Sequence, residues 1–367
     1  MGETIITTAN AMTRKKWSVA LAHYMTKFLF FSRFMGEKEG SIILVKTDLK
    51  KEAGDKIQMD IVNPITGETA EGDTPIENDS RYEVELDFGS DTVQIDYHRK
   101  SVKKKGRMTD QRVPYKLRNE AKSALSVYFG EYTDEVLMIY LSGARGVNSD
   151  FHTATTFTGR ASNSIQAPDS SHIFYGGGHA KATLATTDLM SRDEIEKMAP
   201  RARLLDPQVK PYKMGSEGKG KFIFLMSEEQ AFDLRTGTSD GDWTDIAKRN
   251  DASKIYDGSL GEINNCILHA HSNVIKFSDY GSGGTGVAAR ALLLGANAAV
   301  AAWGKAGDLS RFDWNEETYD RGNGLAITAG QTWGCKKVRY LDSVDGATTN
   351  GDFGIIALDT SYTALVS

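Results

Sequence analysis

Lys56-Ile57-Gln58-Met59-Asp60-Ile61 alternates polar and apolar residues one by one. The same period returns at Glu83-Val84-Glu85-Leu86-Asp87-Phe88 and again at Val93, Ile95 and Tyr97. A period of two sends successive side chains to opposite faces of a strand, so the stretch from Gly54 to about Arg107 predicts a long β-excursion, apolar on one face and acidic on the other. Asn63-Pro64-Ile65-Thr66-Gly67 and Glu71-Gly72-Asp73 carry the turn chemistry that separates the runs. Such a two-stranded ribbon is marginal in isolation.

The period changes on either side of the ribbon. Trp17, Leu21, Tyr24, Phe28 and Phe31 recur at spacings of three and four, which predicts an amphipathic helix in an N-terminal arm of residues 1–48. Phe28-Leu29-Phe30-Phe31 is apolar enough to need a covering surface, from its own core or from a neighbouring subunit. After the ribbon a helix is predicted from near Asp110, with Pro114 in its first turns. Leu117, Ala121, Ala124, Leu125 and Tyr128 line one face, and Val136, Tyr140 and Leu141 carry it past Gly130. Lys221 to Met226 reads as a buried strand, and Ser227 as the cap of a helix over Glu228 to Arg235, acidic in its first turn. Strands and helices alternate beyond it in an α+β pattern, and Phe353 to Leu358 predicts an apolar strand that closes the core. No internal repeat is visible.

The 367 residues suffice for a large core or for two to three subdomains. Thirty-six glycines against seven prolines point to many tight turns, without a collagen period. A net charge of −5 argues against a chain that binds nucleic acid over its whole surface. Cys266 and Cys335 cannot make a disulfide framework and fit a reducing compartment. The start, Met1-Gly2-Glu3-Thr4-Ile5-Ile6-Thr7, has neither a basic region before an apolar core nor the Ser or Thr that a myristoylation signal needs at position 6. Ala288 to Trp303, the longest apolar stretch, contains Arg290 and is too mixed to span a bilayer. A soluble protein is expected, with no membrane partner.

Four groups of residues invite a chemical reading. Gly281, Gly283 and Gly286 have the G-x-G-x-x-G spacing, are followed by helix-forming Val287 to Leu292, and precede Asp308 by about twenty residues. A dinucleotide enzyme would hold a pyrophosphate on such a loop and helix start, but no βαβ unit surrounds this one, which favours a loop followed by a helix start. Glu262, Cys266, His269 and His271 could gather at a metal, although Glu262 to Leu268 also reads as an ordinary strand. The basic run Arg99-Lys100 and Lys103-Lys104-Lys105-Gly106-Arg107 follows the acidic ribbon, and it reads as an intersubunit charge contact, a touch on DNA, or a solvated turn. Arg14-Lys15-Lys16 reads the same way. There is no nucleophile elbow, no His-Glu-x-x-His and no Walker loop. We therefore assign no catalytic residue, no cofactor-binding residue, no metal ligand and no cofactor.

A set of short landmarks runs through the chain in fixed order. They are Gly54-Asp55-Lys56-Ile57, Arg112 opening a long helix, Leu141-Ser142-Gly143-Ala144-Arg145-Gly146, Lys221 to Met226, Tyr256 to Glu262, Leu294-Gly295-Ala296-Asn297-Ala298, and Asp352 to Thr360. In order and spacing they resemble the major capsid proteins of tailed bacteriophages, of the family named after coliphage N-four. The resemblance implies an HK97-like α+β fold with an N-terminal arm (1–48), an extended loop (49–108), a peripheral domain with a spine helix (109–220), an axial domain (221–330) and a C-terminal return (331–367). It implies a structural subunit rather than an enzyme, forming hexamers and pentamers of an icosahedral head around double-stranded DNA. It further implies scaffold, portal and decoration partners, assembly in the host cytoplasm, and a place in the virion. An encapsulin-like compartment shell shares the fold and is the rival reading.

Overall fold

The computed structural model describes residues 29–38, 40–50, 54–62, 68–72, 76–77, 81–83, 85, 88–112, 117–205, 208–213, 220–237, 260–304, 312–344 and 347–365. Most of the predicted arm helix, Trp17 to Phe28, lies outside them. Where the description begins, Phe30–Phe34 is one 3₁₀ turn rather than a continued α-helix, and Phe31 and Phe34 are buried in the subunit's own core. The apolar segment at the arm's end is therefore covered from within.

Lys56–Val62 pairs antiparallel with Phe88–Gln94, from Lys56 opposite Gln94 to Val62 opposite Phe88. Ile57, Met59 and Val93 are buried at the root of this ribbon, whereas Phe88 at its far end is 61% exposed. The alternation continues past Ile95, but the pairing does not. After the Ile95 N–H donates to the Asp55 carbonyl at 2.8 Å, the chain leaves the ribbon, and Asp96–Lys104 pairs with Gly324–Lys337 in the body of the subunit.

A short helix, Arg107–Arg112, precedes the long helix Leu117–Ser142 of 26 residues. From Tyr132 to Ser142 every residue of the long helix is buried, so this half runs through the core, while Asn119, Glu120, Ser123, Ala124 and Glu131 of the first half are exposed. Buried polar groups on it must then find partners. The Thr133 hydroxyl donates to the Phe129 carbonyl at 2.7 Å, and the Glu135 carboxylate accepts from the backbone N–H groups of His152 and Thr153 at 2.7 and 2.8 Å. The helix stops at Gly143, whose φ of +69° is the left-handed conformation that glycine adopts without cost. Its N–H donates to the Ile139 carbonyl at 2.9 Å.

Among the described residues two large sheets flank this helix. One has six strands, in the order Met35–Gly36, Ile43–Lys46, Ala299–Trp303, Gly324–Lys337 and Phe312–Tyr319, with Asp96–Lys104 also on Gly324–Lys337. The other has eight, with the path Gly261–Ile263, Cys266–Ala270, Gly220–Met226, Gly286–Leu294, Ile355–Thr360 and Ile173–Tyr175. Lys276–Tyr280 and Tyr212–Lys213 are its two side branches. The landmark Gly295-Ala296-Asn297-Ala298 carries the chain from one sheet to the other. There the Gly295 N–H donates to Gly354 and the Asn297 N–H to Ser41. Ile355–Thr360 is buried throughout, as an apolar core strand should be. Ser227 caps Glu228–Gly237 reciprocally. Its hydroxyl accepts from the Gln230 N–H at 3.1 Å, and the Gln230 side chain accepts from the Ser227 N–H at 2.9 Å. No helix among the described residues is long and apolar enough to cross a membrane.

Candidate functional site

The glycine-rich loop does not open a helix. Gly281 to Thr285 is the turn of a hairpin between Lys276–Tyr280 and Gly286–Leu294, and the predicted helix of Val287 to Leu292 is a strand. Alanine and leucine favour helices weakly, and burial on both faces of a central strand overrides that preference. Without a helix N-terminus the loop lacks the helix dipole on which such a site rests a pyrophosphate. Asp308 lies outside the described residues.

The four residues that could have gathered at a metal are dispersed. Asn264 and Asn265 have φ of +44° and +65°, which turns the predicted single strand Glu262 to Leu268 into a hairpin. The Glu262 carboxylate pairs with Lys221 Nζ at 2.6 Å. Cys266 and Leu268 face one apolar cluster while Ile267 faces another, so strand alternation sets His269 on the face opposite Cys266. His269 and His271 both meet the Phe30 ring, at 6.1 and 4.4 Å between ring centroids. Among the described residues no three His, Cys, Asp or Glu side chains gather closely enough to hold a metal. Burial, chiefly, pushes the Cys266 thiol up to about 12 and Cys335 well above its ordinary value. Neither thiol should react with a disulfide reagent at pH 8 in the folded subunit, and both should react once it is unfolded, as absorbance of the released thiolate would show.

Two exposed elements carry opposite charge. On the ribbon side, Asp60, Glu68, Glu71, Glu77, Glu83 and Glu85 are exposed together with Ile76. On the body, Arg99, Lys100, Lys103, Lys105 and Arg107 are exposed beside Tyr97, Val102 and Met108. Asp96–Lys104 is paired along one edge only among the described residues, and lysines are a common guard of an open edge. Its tyrosine is tied down. Tyr97 crosses Gly330 to donate to Asp313 at 3.0 Å, and Tyr319 crosses Gly324 to donate to the Lys104 carbonyl at 2.9 Å. Arg118 braces the same strands through Glu316 at 2.6 Å.

The groups that pattern reading missed are buried ion networks. Arg290 meets Asp359 through two bonds of 2.7 Å, donates to the Ser142 carbonyl at 2.9 Å, and shares Asp359 with the Tyr280 hydroxyl at 2.5 Å. This fastens the end of the long helix to the centre of the eight-stranded sheet. Asp352 accepts from Lys337 at 2.8 Å, Arg339 at 2.6 Å and the Asp169 N–H at 3.1 Å. Burial pushes Lys337 down to about 8 against the pull of Asp352. A charge inside each of two apolar runs, Arg290 in one and Asp359 in the other, was the available signal, because buried charges are stable only when paired.

A model of the phage capsid protein family matches residues 5–364. No curated protein matches the chain. Among solved structures, the capsid of Ralstonia phage GP4 is 38% identical, with both chains covered completely and a TM-score of 0.82. The capsid of cyanophage Pam1 is 20% identical over 90% of this chain and 92% of that one, with a TM-score of 0.70. The head of Helicobacter pylori bacteriophage KHP40 is 18% identical over 91% of each chain, with a TM-score of 0.63. At those identities the latter two speak for the fold alone, an α+β capsid fold of HK97-like type. The chain belongs to the phage capsid protein family and is a structural subunit of a phage head, a major capsid protein.

Proposed function

We propose that copies of this subunit join by laying the acidic ribbon of one across the basic strand and helix start of the next, Arg99 to Arg107. The observation that carries this is the pairing of opposite charge with exposed apolar side chains on the two elements: Ile76 and Phe88 on the ribbon, Val102 and Met108 on the body. Heterologous contacts of this kind close into rings when the rotation allows, and hexamers and pentamers of an icosahedral head around double-stranded DNA follow from such closure. Charge complementarity sets the register and speed of such an encounter more than its final strength. The long helix and the six-stranded sheet would form the peripheral part and the eight-stranded sheet the axial part. This division departs from the sequence-based bounds, because Ala299–Trp303 and Phe312–Tyr319 join the six-stranded sheet and Ile355–Thr360 joins the eight-stranded one. Scaffold, portal and decoration proteins would be further partners during assembly in the host. The head of the Ralstonia phage GP4 relative supports the shell role.

The test is charge reversal. Lys103→Glu with Lys105→Glu should leave the thermal midpoint of the unassembled subunit unchanged within a few degrees, since exposed charges contribute little to stability. It should slow or abolish shell formation, followed by light scattering and electron microscopy. Adding Glu83→Lys and Glu85→Lys should restore assembly in part. Wild-type assembly of the first variant would rule the contact out.

A further inference from the structure

The 3₁₀ turn Phe30–Phe34 lacks a cap of its own, because Leu29 supplies no side-chain acceptor. A carboxylate far along the chain supplies it. The Phe30 N–H donates to Asp134 Oδ2 at 2.5 Å and the Phe31 N–H to Oδ1 at 3.1 Å. Asp134 lies on the long helix and is only 3% exposed. The Phe30 ring meets a second titratable group, the half-buried imidazole of His271, with ring centroids 4.4 Å apart. One residue of the arm root is thus held by its backbone on a buried acid and by its ring on a half-buried base.

The surroundings carry charged groups of both signs. A cleft of about 530 Å³ opens beside this contact, lined by Leu29, Phe30, Arg33, Asp134 and His271. The long helix adds Glu131 and Glu135, the following loop Asp150 and His152, and His269 faces Phe30 and Phe34 from its strand. Glu135 is engaged by His152 and Thr153, and Glu131 lies 3.3 Å from the His152 imidazole. The Arg33 guanidinium lies over the Phe30 ring, 5.2 Å from its centroid. Burial is the largest influence on both groups that hold Phe30. It pushes Asp134 up to about 7 despite its two N–H donors and Arg33, and, with Arg33 adding to it, pushes His271 down to about 4.

The signs oppose each other. When the turn lifts away, both groups regain water and return towards their ordinary values. For Asp134 the seated value is raised, so its contribution to seating is fully present below the ordinary carboxylate range and is lost as pH rises through about 7. For His271 the seated value is lowered, so its contribution is present above the ordinary imidazole value and is lost as pH falls through about 4. Over the overlap the arm root gains a proton at one group and forgoes one at the other.

We propose that Asp134 and His271 act as a counter-titrating latch on Phe30, which keeps the arm root seated on the long helix while the surrounding medium is acidified. Either group alone would turn acidification into a change of hold. Hydrogen exchange of the full-length subunit, read by mass spectrometry on the peptide spanning Leu29 to Met35 and corrected for intrinsic rates, tests it between about pH 4.5 and 8. The wild type should keep its protection nearly constant from about pH 6.5 downwards. Asp134→Asn should lose protection on acidification, up to about tenfold per pH unit, and His271→Gln should gain it at a similar rate. Protection of Ile355 to Thr360 in the same samples verifies the fold. Should the Asn variant fail to fold, His271→Gln decides alone. A steep wild-type profile, or a flat profile in the His271 variant, overturns the latch.

Discussion

Arg290→Met is expected to destabilise the subunit by about 3–5 kcal/mol, the usual effect of removing one partner of a buried ion pair. The substitution keeps much of the side-chain volume but leaves the Asp359 carboxylate, wholly buried, with the Tyr280 hydroxyl and without its counter-charge. It also frees the Ser142 carbonyl at the end of the long helix. Denaturant unfolding of the unassembled subunit, with Asp359→Asn as the companion, measures the loss. The double variant Arg290→Met with Asp359→Asn should recover a large part of it, because no charge is then left buried while the asparagine can still accept from Tyr280. An unchanged midpoint in the single variant would show that the network does not anchor the helix.

Gly143→Ala should have a comparable effect for a different reason. The left-handed φ costs a residue with a Cβ about 1–2 kcal/mol. The added carbon would also stand 2.2 Å from the Gln166 carbonyl oxygen, a backbone atom that cannot step aside freely. Overpacking of that kind costs about 1–3 kcal/mol more. Gly284→Ala is the control. Its φ of +61° is just as left-handed, but nothing lies within 4 Å of the new carbon. It should show the conformational cost alone, so the difference between the two melting midpoints isolates the clash.

What could be read in the sequence follows the range of the interaction that decides each element. The first ribbon strand, Lys56–Val62, and the Ser227 cap are set by neighbours two or three residues away, and both are where the pattern placed them. The second ribbon strand is instead Phe88–Gln94, and Glu83 and Glu85 of the earlier alternating run lie outside any strand. The break at Ile95 is silent, because the alternation continues unchanged from Val93 to Tyr97 while the partner strand changes from Lys56–Val62 to Gly324–Lys337. Gly286–Leu294 was misread as a helix start because its alanines and leucines say nothing local about strands flanking it on both sides. Asp134 gave no sign of capping a turn that begins 104 residues earlier. The order of the landmarks supplied the global fold, and the comparisons with known capsids agree with it.

The place of Ile355–Thr360 has a consequence for the life of the nascent chain. It lies between Gly286–Leu294, antiparallel, and Ile173–Tyr175, parallel, so strands made much earlier wait for it with open edges. Arg290 waits as well, since Asp359 arrives on the same strand. A ribosome that has not yet passed residue 360 therefore carries a subunit whose sheet is split and whose central cation is still hydrated. Competence to join other copies comes with the last core strand, and a prematurely released chain is left with unpaired edges to aggregate through rather than a surface to assemble with.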